Sequence, residues 1–238
     1  FSLIKDYCDS IKIEFLSTPD EIKSLKFLIN NLGLSTIKVG SGELGNLPFL
    51  RQISNMAKKV ILSTGMHTIK DVENSVKIFT ENPDIDLTIL QCTSSYPCPL
   101  ENINLRVMRT YAEIFNCKVG FSDHSEGITA SLIAASLGAK IIEKHFTQDK
   151  SQIGPDHFCS LNPSELKDLI QKIRSIPSIL GSNQKKVQDC EKDAKITATK
   201  IIIASKEIKI GEDFNFNNIS LMRAGKSGHR GSYWGSII

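Results

Sequence analysis

Short apolar segments recur along this chain at intervals of roughly 25 to 30 residues, and each is followed by a stretch whose apolar positions fall at helical spacing. They occupy residues 11–17 (IKIEFLS), 36–40, 60–63, 87–91, 118–121 and 140–144. Parallel neighbours need a long crossover, and a helix is the crossover that packs back onto a sheet. Six strands, each followed by a helix, therefore predict a parallel α/β fold, either a closed barrel or an open doubly wound sheet. Periodicity does not choose between them. Punctuation supports the helices: Pro19 and Asp20 open one that runs to Gly33, and Pro48 sits in the first turn after Asn46. Thr68 or Asp71 starts another that ends before Asn82 and Pro83; a further one lies around 104–115, and Asn162 caps a long one to about Leu180.

The chain has 238 residues, 40% hydrophobic, enough to bury a sizeable core. From Gly181 to Lys195 (GSNQKKVQDCEKD and on) periodicity disappears, and beyond it come short β-like segments, TKIIIAS and NISLMRAG. This predicts a main domain over 1–180, a linker over 181–195 and a small β-rich domain over 196–238 with little core of its own. A net charge of +3 without a basic block gives no support for nucleic-acid or membrane binding. No run of about 18 apolar residues occurs either. Six cysteines without CxxC spacing fit reduced thiols and a cytoplasmic location.

The chemically loaded residues gather at strand ends, where parallel barrels and sheets place their sites. In VGFSDHSEG, Gly120, Ser122 and His124 share one face; in IIEKHF, Ile141, Glu143 and His145 do. If these strands are parallel neighbours, both imidazoles emerge at one sheet end, with Asp123 and Glu143 close by, and can hold a divalent metal with open coordination positions. The turn KVGSGELGN offers Lys38 to an anion, the Ser41 hydroxyl, backbone N–H donors and a rim carboxylate, Glu43. STGMHT adds small hydroxylated residues beginning with Ser63, and in QCTSSYPCP the residues Leu90, Cys92, Ser94 and Tyr96 share parity. Such donors can cradle a phosphate and a carboxylate.

The blocks KVGSGELGNLPFL, VILSTGM, LQCTSSYPCPLENINL, VGFSDHSEGI, GAKIIEKHFT and GPDH, in this order, resemble the sialic acid synthase family, which makes N-acetylneuraminate and related nonulosonates such as legionaminic acid. The segment TKIIIASKEIKIGEDFNFNNISLMRAGKSG resembles the antifreeze-like (SAF) domain that follows the barrel there. The resemblance implies a (β/α)8 TIM barrel that condenses phosphoenolpyruvate with an open-chain N-acylated mannosamine-type sugar and releases phosphate. It implies a metal of the Mn2+ type, with Mg2+ and Co2+ as alternatives, on His124 and His145. Lys38, Ser41, Ser63 and Ser122 match positions that hold phosphoenolpyruvate, with Tyr96 and Ser94 near the same pocket. Glu43 matches the carboxylate that engages the sugar, Glu143 and Asp156 other polar positions lining the site. Arg223 matches the residue that the antifreeze-like domain extends into a partner's site in a domain-swapped homodimer.

Nothing before Ile11 resembles the family's first two βα units. The chain is therefore expected to carry strands three to eight of the barrel and to stop inside the antifreeze-like domain. Two other readings compete. One is a different metal-dependent phosphoenolpyruvate-using barrel synthase or aldolase, against which the SGE turn and the β-rich tail speak. The other is a non-catalytic truncated barrel serving as a binding module.

Overall fold

The computed structural model describes residues 1–225 and 228–238. The chain divides into two compact units, Phe1–Leu180 and Gly181–Ile238. The first is built on five parallel strands in the order of the sequence: β1 (Thr36–Val39), β2 (Lys59–Ser63), β3 (Asp86–Cys92), β4 (Lys118–Asp123) and β5 (Ile142–Lys144). Each strand pairs with the next in sequence, so the sheet curls into an α/β half-barrel.

Helices return the chain between strands. After α1 (Ser2–Ser10), α2 (Ile22–Lys26) widens into a single π-type turn at Phe27–Asn31 before β1. Then follow α3 (Leu47–Met56), α4 (Ile69–Thr80), α5 (Val107–Phe115), α6 (Thr129–Ser136) and α7 (Pro163–Leu180). The expected caps are formed. Asn46 Oδ1 accepts from Phe49 N at 3.3 Å, and Thr68 and Asp71 exchange side-chain and backbone bonds across the first turn of α4. Asn162 and Glu165 do the same at α7, at 3.0 and 2.9 Å. The outward strand residues Ile37, Val39, Val60, Leu62, Leu87 and Ile89 pack on the apolar faces of α2, α3 and α4. A second cluster joins Phe121 to Met108, Ala130 and Ala134.

One expectation for the first unit fails, and one element was not foreseen. Residues 11–17 alternate as a strand does yet form no ladder; Phe15 packs on the core while Ile13 stays 58% exposed. Their one long-range polar tie is Thr36 Oγ1 donating to Glu14 Oε1 at 3.0 Å. Alternation gives a segment two faces but supplies no partner for its backbone, so the sheet has five strands where the periodicity predicts six. Ser2–Ser10, on which the sequence patterns are silent, is a helix with Leu3, Ile4 and Tyr7 exposed.

In the second unit the expected β-like segments pair antiparallel as β6 (Ile201–Ala204) and β7 (Ile219–Met222). The stretch read as structureless is partly helical, with a tight turn at Asp189–Glu191 leading into α8 (Lys192–Ala198); the unit ends in α9 (Trp234–Ile237). The reason is local: Gln188 and Glu191 form a reciprocal cap that polarity alone does not reveal. No helix among the described residues is long and apolar enough to cross a membrane. All six cysteines carry free thiols.

Candidate active site

The C-terminal ends of β1 to β5 surround a cleft of about 500 Å³. Its lining includes Lys38, Ser41, Ser63, Ser94, Tyr96 and Ser122, together with His124, Glu143 and His145. The sequence marks all nine as candidates. Strand alternation puts Lys38, Ser63, Ser122 and Glu143 there, because the inward parity of their strands is polar at this end.

Lys38 sits at the base, 8% exposed. Its ammonium donates to Ser63 Oγ at 2.8 Å and to the Val39 carbonyl at 2.8 Å, with Glu143 Oε2 at 3.5 Å. Burial pulls its pKa below the ordinary lysine value, and the Glu143 charge opposes that pull. Glu143 in turn accepts from Ser122 Oγ at 2.8 Å, its register partner across β4 and β5. A desolvated cation held by two hydroxyl-bearing strands is arranged to receive an anion.

Beside it stand the two imidazoles, ring centres 5.3 Å apart. Tyr96 lies against both, at 4.2 Å from His124 and 5.4 Å from His145. His124 Nδ1 is 2.8 Å from the Thr93 carbonyl, so that nitrogen carries a proton and donates it. For His145 the corresponding neighbour is Asp156, with Nδ1 3.7 Å from Oδ2. Burial and the adjacent His124 both lower the His145 pKa, against the pull of Asp156 and Glu143. For His124, burial lowers the pKa, but the Cys92 thiol, the Thr93 carbonyl and Glu143 outweigh it and leave it raised. An imidazole fixed through Nδ1 leaves Nε2 as the nitrogen a metal would take, and His124 has that arrangement; His145 has the Asp156 carboxylate near Nδ1 without a hydrogen bond to it. Among the described residues no cluster of three or more His, Cys, Asp or Glu offers a fuller ligand set.

On the other wall Ser41 Oγ accepts from Gly65 N at 2.9 Å, and His67 Nε2 lies 3.0 Å from the Ser41 carbonyl. Gly65 is required there: a Cβ would stand 2.3 Å from Ser94 Oγ and 3.1 Å from both Cys92 Sγ and Ser41 Oγ. The missing side chain leaves room for three polar groups to converge.

Other candidates stand apart. Glu43, half-buried, is not among the cleft residues, and its Oε2 accepts from Asn46 Nδ2 at 2.7 Å. Asp156 reaches the cleft only through His145. Arg223 is exposed at the end of β7, in the second unit. Asp123, expected beside the histidines, faces the opposite way: fully buried, it accepts from Ser125 N, Ser125 Oγ and Ser131 Oγ at 2.8, 2.6 and 2.6 Å and pairs with Lys144 at 3.3 Å. The alternation that turns Ser122 and His124 inward turns Asp123 out. Two lining side chains, Thr18 and Met66, were not singled out, and Cys92 was named only for its parity. Thr18 follows the misread segment, and Met66 adopts a left-handed φ of 68° in the turn after β2. For Cys92 burial raises the pKa, yet hydrogen bonds with His124, Ser41 and Ser122 more than offset it, and the thiol lies below its ordinary value.

Comparison with known proteins follows the same lines. A model of the NeuB family matches residues 1–185. The N,N'-diacetyllegionaminic acid synthase of Campylobacter jejuni is 43% identical over 213 residues, covering 89% of this chain and 64% of that protein. The enzyme of the same name from Legionella pneumophila is 38% identical over 227 residues, covering 94% and 64%. The crystal structure of the N-acetylneuraminic acid synthetase of Leptospira borgpetersenii, in complex with citrate, superposes with a TM-score of 0.74 at 32% identity, covering 82% of this chain and 67% of that one. The chain thus spans about two thirds of the length of the relatives it matches.

Proposed function

The chain belongs to the NeuB family, and from that premise we propose that the full-length protein condenses phosphoenolpyruvate with the open-chain form of an N-acylated mannosamine-type sugar, giving a nonulosonate and phosphate. The observation that carries this reading is the buried Lys38 ammonium, held by Ser63 within a cleft that also presents two imidazoles.

Phosphoenolpyruvate brings a phosphate and a carboxylate. Lys38, Ser41, Ser63 and Ser122 are the cation and hydroxyl donors that would bind them, with Ser94 beside them. The methylene carbon of phosphoenolpyruvate attacks the aldehyde carbon of the sugar, so the aldehyde oxygen gains negative charge and takes up a proton, and the neighbouring phosphate-bearing carbon becomes an oxocarbenium. Water adds at that carbon, and the adduct loses phosphate. His124 and His145 would hold a divalent metal, Mn2+ or, as alternatives, Mg2+ or Co2+, which supplies Lewis-acid stabilisation of the aldehyde oxygen. Glu143 lies close enough to Lys38 and Ser122 to stabilise the cationic carbon or to take the proton of the attacking water. Tyr96, whose phenol burial pushes above its ordinary pKa, stays protonated as a donor and walls the cleft beside the imidazoles. Glu43 at the rim would meet the sugar, Asp156 would steady His145, and Arg223 would serve the cleft of a partner in a domain-swapped dimer.

The test is phosphate release by the full-length protein from phosphoenolpyruvate with Mn2+, comparing N-acetylmannosamine with a 2,4-diacetamido-6-deoxy sugar as acceptor. Release dependent on one of them is expected. No release with any N-acylated mannosamine would overturn the reading.

A further inference from the structure

Immediately before each histidine stands one member of a buried ion pair. Asp123 and Lys144 are the last register partners of β4 and β5, 0% and 4% exposed at their side chains, with Lys144 Nζ 3.3 Å from Asp123 Oδ1. Past this pair the ladder ends. The His124 carbonyl accepts from Cys98 N at 2.9 Å and the His145 carbonyl from Leu161 N at 2.8 Å, so the two carbonyls turn to different loops. The pair itself is tied down on several sides. Asp123 takes the Ser125 and Ser131 hydroxyls, which anchors it to the turn after β4 and to α6, and Lys144 Nζ also donates to the Ser125 carbonyl.

We infer that the Asp123–Lys144 pair is a positioning device for the two imidazoles, a staple on the helix side of the sheet that sets their separation on the cleft side. Two buried charges are a costly way to hold strands, since apolar residues of the same volume serve stability as well or better. What an ion pair with directional hydrogen bonds adds is a fixed geometry. Here that geometry is passed across single Cα atoms to His124 and His145. The inference rests on the proposed joint use of the imidazoles as a metal site; groups that orient metal ligands commonly change metal affinity by about 10- to 100-fold when removed, and this pair would do so through the backbone.

The experiment compares wild type, Lys144→Met and Ser131→Ala in the full-length protein; Ser131→Ala removes one donor to Asp123 and leaves both charges. Leu50→Ala, a core change behind β1 and β2, serves as a control for lost stability. Mn2+ affinity is measured by calorimetry where urea titration shows each variant folded, and phosphoenolpyruvate affinity is measured without metal. Mn2+ binding is expected to weaken at least about tenfold in Lys144→Met and about two- to fivefold in Ser131→Ala. It should be unchanged in Leu50→Ala, with phosphoenolpyruvate affinity unchanged in both staple variants. Wild-type Mn2+ affinity in Ser131→Ala and in any folded Lys144→Met overturns the staple. If wild type itself binds no Mn2+, the metal reading falls, and the staple is judged by ring 15N shifts. Loss of the single Nδ1-protonated form of His124 in the variants supports it, and wild-type ring spectra overturn it.

Discussion

Lys38→Met removes the charge at the base of the cleft while keeping nearly the same volume. In the folded protein the ammonium is already stripped of most water, 8% exposed, and holds Ser63 Oγ, the Val39 carbonyl and Glu143. A substrate anion that meets it at about 3 Å, with an effective dielectric near 20, gains about 5 kcal/mol of Coulomb energy. After the anion's own dehydration about 1.5–3 kcal/mol remains, as for hydrogen bonds to charged groups. That corresponds to about a 10- to 140-fold loss of phosphoenolpyruvate affinity in the variant. Stability should change little or rise slightly, because a buried ammonium is replaced by an apolar isostere and Glu143, 39% exposed, can turn to water. Calorimetric titration of phosphoenolpyruvate, KM values for both substrates and urea unfolding test this together. The pH dependence gives an independent check. Because burial places the Lys38 pKa below 10.5, the unfolded chain keeps a proton that the folded one has released between that lowered value and 10.5. Stability therefore rises with pH across that window in wild type, relative to Lys38→Met. Affinity within threefold of wild type, or equal rises in both KM values, would refute the assignment of Lys38 to the phosphoenolpyruvate anion.

His124→Ala and His145→Ala are each expected to abolish turnover and Mn2+ binding with the urea midpoint nearly kept; full activity of wild type in a strong chelator would end the metal proposal. Gly65→Ala places a Cβ 2.3 Å from Ser94 Oγ and should lower kcat/KM for phosphoenolpyruvate more than about tenfold, since small displacements of positioning groups cost rate steeply. Unchanged kinetics would show that the crowded wall yields freely. Mixing Arg223→Ala with His124→Ala subunits should restore up to about a quarter of wild-type activity per site, because half the dimers are mixed and each holds one intact composite site. No recovery, with exchange confirmed by mass spectrometry, would place Arg223 outside a shared site.

Much of the site was legible because one rule, alternation along a strand, acts on every strand alike. Thr36–Val39, Lys59–Ser63 and Lys118–Asp123 lie within a residue or two of the spans read from apolar runs, and their parallel register brings Lys38, Ser63 and Ser122 to one face. The same rule, carried one residue further, would have turned Asp123 toward Ser131. Residues 11–17 carry the pattern without a partner, and pairing is a long-range property that no local pattern contains. Cys92 was placed by parity with Ser94 and Tyr96 but given no role, because a thiol on an inward position reads as core. Glu43 and Asp156 lie in turns, where sequence position says little about the direction of a side chain; each is held by a neighbour, Asn46 in one case and His145 in the other.

The strand order, each strand beside its sequence neighbour, also bears on how the cleft comes into being. A sheet of this kind can zip from β1 towards β5, each crossover closing a loop of similar modest length, so no early step waits for a distant partner. Residues of β1 are buried throughout, whereas the three residues of β5 are all only half-buried. If the sheet zips in that direction, β5 docks last and delivers Glu143 and His145 to a cleft whose other walls already stand. Native-state hydrogen exchange should find the amides of 142–144 opening at lower free energy than those of 60–62; the reverse order would show that the cleft forms first and the remainder of the sheet gathers behind it.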